Sequence, residues 1–74
     1  MKLSARMTDL LTAMQRGVMV SHIGGPDAYF FRQDTMERCT ATFCALEARE
    51  LVTRGHNFFK VRPALTDLGR RWRA

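Results

Sequence analysis

The residues able to do chemistry are few, and their spacing speaks against most of it. Cys39 and Cys44 have four residues between them, the upper limit of the gap of about two to four residues in zinc knuckles, but His22 and His56 are distant from both in sequence and no second close pair of ligands follows. This spacing predicts no metal site. Cys44 reads as a small core residue and Cys39 as a thiol in a helix turn. His22, in a run rich in β-branched residues, reads as a hydrogen-bonded structural residue, and His56 as a solvated one within reach of a phosphate. Glu47 and Glu50 are paired at helical spacing, but arginines flank them, which suits a solvated face better than an acid–base pair. No motif supports a Cys–His nucleophile. Gly24-Gly25-Pro26 is followed by neither Lys-Ser/Thr nor a helix, so it is not a phosphate loop. No catalytic residue, metal ligand or cofactor is expected, and the chain is expected not to be an enzyme.

The chemistry that stands out is cationic. Lys plus Arg number 12 against 7 Asp plus Glu, a net charge of +5. Residues 1–37 carry four bases and four acids, whereas residues 38–74 carry eight bases and three acids, so all the excess lies in the second half. Ten of the 12 bases are Arg, whose planar fork suits phosphates and base edges. A one-sided basic field points to an anionic partner, nucleic acid being the commonest.

These groups need elements to place them. With 74 residues the chain is expected to be one domain, 1–74, near the lower size limit for independent folding. Leu3, Met7, Leu10, Leu11 and Met14 form an apolar stripe that predicts a helix over 3–16, capped by Ser4 and ended by Gly17. Val18–Ile23 and Ala28–Arg32 flank the turn signal Gly24-Gly25-Pro26-Asp27 and predict a hairpin over 18–32. Tyr29, Phe30 and Phe31 are adjacent, so at least one ring must point away from the core, available to a partner or a second subunit. A short helix is expected over 34–39 with Asp34 or Thr35 as its cap, and a longer one over 41–49 capped by Thr40. Leu51–Arg54 and Phe58–Leu65 read as strands around the turn Gly55-His56-Asn57, and Thr66 caps a last helix over 67–73. The N-terminus lacks the apolar run of a signal peptide, and the longest uncharged stretch, Gly17–Pro26, is too short for a bilayer. A cytoplasmic protein without a membrane partner is expected, its thiols reduced.

Helix, short helix, helix and hairpin is the order of a winged helix-turn-helix. Leu46-Glu47-Ala48-Arg49-Glu50-Leu51-Val52-Thr53-Arg54 resembles the end of the recognition helix and the first wing strand of MarR-type bacterial regulators, and Ala64-Leu65-Thr66-Asp67-Leu68-Gly69-Arg70 resembles their segment after the wing. The match covers about residues 40–71. Glu50 stands where that family usually has Gly, the wing is short, and the family's long dimerisation helices have no counterpart here.

The resemblance implies an α+β winged helix-turn-helix with three to four helices and a C-terminal β-hairpin wing at 51–65, to which the residues add the extra hairpin expected at 18–32. It implies a transcriptional regulator binding double-stranded DNA through a recognition helix near 40–50. Thr40, Thr42, Ala45 and Arg49 are then candidates for bases or adjacent phosphates, with Arg38, Arg54, His56, Lys60 and Arg62 on phosphate or the minor groove. Arg70, Arg71 and Arg73 form a further basic cluster. Bland alternatives stand beside these roles: Arg49 pairing with Glu50 or Asp67, and Thr42 capping its own helix. Tyr29, Phe30, Phe31 and Trp72 are the candidates for protein contact, including a homodimer built on the 18–32 hairpin. The rival class is a protein-binding module, such as a phage or mobile-element inhibitor of a host complex of the CRISPR effector kind.

Overall fold

The computed structural model describes residues 2–55 and 61–73. The chain runs α1 (Ala5–Gln15), β1 (Val20–Ile23), β2 (Tyr29–Arg32), α2 (Thr40–Ala48), β3 (Val52–Thr53), β4 (Ala64–Leu65) and α3 (Asp67–Arg71). The Ser4 hydroxyl accepts from the Met7 amide at 3.2 Å and starts α1. Gly17, at φ +101°, ends it. The Val18 amide returns to the Ala13 carbonyl and the Gly17 amide to Met14, each at 3.0 Å, satisfying the last carbonyls in a Schellman turn.

β1 and β2 form an antiparallel hairpin in the register Val20↔Arg32, Ser21↔Phe31, His22↔Phe30 and Ile23↔Tyr29. The pleat sends Val20 and Phe30 into the core and leaves Ile23 exposed. Phe30 stacks on Phe43 of α2 with centroids 4.3 Å apart. The core is one cluster, with Leu10, Leu11 and Met14 from α1 meeting Phe43 and Leu46 from α2 and Leu51 and Val52 beyond it.

The expected winged helix-turn-helix is not what the chain forms. Among the described residues the structure is α+β with three helices and two two-stranded sheets, and its strands sit mid-chain rather than as a C-terminal wing hairpin. The longer sheet, β1–β2, lies between the first two helices. Among the described residues the second pairs Val52↔Leu65 and Thr53↔Ala64. The short helix expected over 34–39 does not form either. Residues 33–35 make a turn, Met36 adopts φ +63°, and Arg38 bridges to Phe31 alongside β2. Asp34 does not cap a helix because Arg32 takes both its carboxylate oxygens. Thr40 is not the cap of α2: Cys39 holds that position without a side-chain bond, and the Thr40 hydroxyl accepts from the Phe30 amide at 3.0 Å. Of the strand expected over 58–65, residues 58–60 lie outside the described residues, and only Ala64–Leu65 is a strand.

Where α2 ends, the Leu51 amide donates to the Leu46 carbonyl at 3.1 Å and Glu50 to Glu47 at 2.9 Å, a second Schellman turn. The position that calls for Gly holds Glu50 at φ +62°. α3 docks at this point. The Thr66 amide donates to the Leu51 carbonyl at 3.1 Å. The Thr66 hydroxyl donates to the Glu50 carbonyl at 2.6 Å and accepts from the Gly69 amide at 3.0 Å, capping α3. A Cβ on Gly69 would collide with the Leu51 carbonyl oxygen and stand 2.9 Å from its carbon. Gln15 of α1 closes the joint, its amide nitrogen donating to the carbonyls of Gly69 and Trp72 at 2.9 Å each.

Two substitutions at this joint have opposite expected signs. Gly69→Ala forces α3 off Leu51 and lowers stability by about 3 kcal/mol, the upper end for an overpacked site. Glu50→Gly relieves left-handed strain and raises it by about 1 kcal/mol. Urea unfolding midpoints measure both, with unchanged slopes expected.

Candidate nucleic-acid interface

The face of α2 opposite Phe43 and Leu46 carries Ala41, Ala45 and Ala48. Ala41 and Ala48 are exposed and Ala45 is half-buried. Arg38 precedes this face and Arg49 follows it, and both are exposed. Arg49 donates to the Ala45 carbonyl at 2.9 Å and pairs with neither Glu50 nor Asp67. The Arg38 guanidinium lies 4.0 Å from the centroid of the Tyr29 ring. Neither arginine is in an ion pair among the described residues. Thr42 does not cap its own helix; it lines a cleft of about 220 Å³ between α1 and the start of α2, together with Arg6, Asp9, Arg32 and Arg38. Arg6 had no place among the sequence-based candidates, since only the packing of α1 against α2 brings it there.

Other candidates are engaged elsewhere. Arg54 is half-buried rather than outlying. It folds back on α2, its Nε donating to both Glu47 carboxylate oxygens at 3.1 and 2.9 Å, with its Nη2 3.6 Å from the Cys44 sulfur. Its guanidinium lies 5.2 Å from the Phe30 ring centroid. The Glu47 hydrogen bond, the largest cause, raises the Arg54 pKa. Thr40 is half-buried and holds Phe30. Arg62 is exposed, its amide donating to the carbonyls of Arg54 and Gly55 at 2.7 Å each. His56 and Lys60 lie outside the described residues. In α3, Arg70 pairs with Asp67 at 2.8 Å, while Arg71 and Arg73 donate to nearby backbone carbonyls.

The aromatic candidates separate. Phe30 is 2% exposed and belongs to the core, so it is not a contact residue. Trp72 is half-buried against that core, its carbonyl held by Gln15. Tyr29 and Phe31 lie on the other side of the hairpin, half-buried, with centroids 6.1 Å apart. The cysteines exchange the roles expected of them: Cys39 is buried, which raises its thiol pKa, and Cys44 is only half-buried beside Arg54. The His22 ring packs 4.8 Å from that of Phe30. Among the described residues no cluster of three or more His, Cys, Asp and Glu could hold a metal, and no helix is long and apolar enough to cross a membrane.

Arg32 links three elements. From β2 it reaches Asp9 of α1 at 2.7 Å and Asp34 of the following turn at 3.0 and 2.7 Å. The hydrogen bond with Asp34 is the largest cause of its raised pKa. It also holds the Asp34 carboxyl below its ordinary value.

No protein-family model matches the chain, and neither the curated proteins nor the solved structures contain a match to it.

The Asp34 shift gives a pH dependence with a definite sign. A carboxylate whose folded pKa lies below its unfolded value, about 3.9, stabilises the fold above that value and loses the contribution as pH falls through the folded pKa. Urea midpoints of the wild type should therefore fall more steeply below about pH 4 than those of Asp34→Asn. Parallel curves would mean that Asp34 contributes nothing to the acid limb.

Proposed function

We propose that the chain binds double-stranded DNA through the outer face of α2 and its flanking arginines, acting as a small regulator of transcription. One observation carries the reading: the solvent face of α2 holds only small side chains between Arg38 and Arg49, both exposed and in no ion pair among the described residues. A helix bare of long side chains can approach the floor of a groove closely. B-DNA's major groove, roughly 12 Å wide, admits such a helix. Arg38 and Arg49, which precede and follow the face in the chain, would serve the phosphates, to which their fork geometry is suited. Thr42, on the flank of α2, and Arg6, across the cleft from it, extend the surface toward α1. Arg62 adds an exposed cation near the end of β3. The net charge of +5 supplies long-range attraction to the same partner.

About four phosphate contacts imply a loss of affinity of roughly 100-fold between 50 and 200 mM salt. Fluorescence anisotropy with a labelled duplex measures this. Arg38→Ala should weaken all duplexes alike and flatten the salt dependence by about one contact. No duplex binding at 50 mM salt would remove this reading and leave a protein as the partner to be sought.

A further inference from the structure

The outer side of the β1–β2 hairpin has no counterpart in the core. In an antiparallel pair, directly opposed residues share a side. One outward row is therefore Ser21, Phe31 and, through the bridge on the far edge of β2, Arg38; the next is Ile23 and Tyr29. A solvated side of so small a sheet ordinarily carries short polar or charged residues. This one carries two aromatic rings 6.1 Å apart and Ile23, which is 44% exposed. Its one cation, Arg38, does not turn to a carboxylate but lies 4.0 Å from the Tyr29 ring centroid, forming a guanidinium–aromatic stack. These two outward rows contain no acid.

Adjacent aromatic faces beside an arginine without an ion-pair partner among the described residues have the chemistry of a base-stacking platform. The Phe31 ring is an aromatic surface for a base, and the guanidinium stacked on Tyr29 carries both a plane for stacking and a charge for the phosphate between bases. A second copy of this chain meets the face less well, because a two-fold contact buries the same patch on both copies and these two outward rows hold no carboxylate to pair with Arg38. We infer that the outer hairpin face, with Tyr29, Phe31 and Arg38, binds the unpaired bases of a DNA strand. The inference rests on the DNA-binding reading and extends it. Arg38 belongs to both surfaces, so an opened or distorted strand is held next to the duplex contacted by α2. The selectivity is for unstacked bases over paired ones, with little preference among the four.

The test compares two labelled probes on the full chain: an oligothymidine of about 12 nucleotides, within the span of small single-strand binders, and a fully paired duplex. The variants are Phe31→Leu and Tyr29→Leu, which keep apolar bulk on the hairpin and remove the ring. Each should weaken oligothymidine binding about tenfold with unchanged urea midpoints, and Phe31→Leu, which spares the Arg38–Tyr29 stack, should leave duplex affinity within twofold. Duplex binding by the wild type without oligothymidine binding would overturn the inference and leave the DNA-binding reading intact. So would equal losses for both probes. Self-association in sedimentation that Phe31→Leu abolishes would assign the face to a second copy instead. Binding of neither probe would remove the DNA-binding reading and this inference together.

Discussion

The carbonyl of Leu51 is the point on which the fold turns. It lies just past the end of α2 and at the start of β3, accepts the Thr66 amide, and is approached by Gly69 of α3 more closely than any side chain allows. Leu51 itself is fully buried. Three elements converge there, and α1 joins them through Gln15. A sheet of two residues per strand would not persist alone. It persists because the Schellman turn at Glu50 aims the chain and the Thr66 hydroxyl ties the returning segment to the Glu50 carbonyl. The strained conformation of Glu50 is tolerated because its surroundings fix it on both sides.

The joint also fixes which side of α2 faces out. Phe43 and Leu46 pack inward with Leu51 and Val52, and Phe30 closes the core from the hairpin. What remains on α2 is its alanine face. The Arg54–Glu47 pair lies along one flank and the cleft with Thr42 along the other. That pair is partly exposed, so its worth to stability is no more than about 1 kcal/mol. Its consequence is positional, since it draws the Arg54 side chain back along α2.

Elements announced by local chemistry were legible in the sequence. Ser4, Gly17 and Thr66 act within three residues of themselves, and α1, the hairpin and α3 lie where such signals place them. Misreadings arise where a distant residue competes for a local donor or acceptor. Asp34 resembles a cap, but Arg32 claims its carboxylate, and Arg38 pairs along β2 instead of entering a helix. Thr40 resembles a cap, but its hydroxyl serves Phe30. The order of elements therefore suggested a winged helix-turn-helix that the mid-chain hairpin and missing second helix overturn. At the site, adjacency alone could not tell which of Tyr29, Phe30 and Phe31 is core; stacking on Phe43 decides it. Arg54 and Glu47, seven positions apart across a helix end, meet only through tertiary structure.

The proposed contact is between DNA and the alanine face of α2 with its two arginines. Titrating uniformly ¹⁵N-labelled protein with a short duplex and following amide chemical shifts tests it most directly. The largest changes are expected on Arg38, Ala41, Thr42, Ala45, Ala48 and Arg49, while Gln15, Gly69 and Trp72 at the joint stay in place. Changes centred on α3, or spread evenly without saturation, would contradict it.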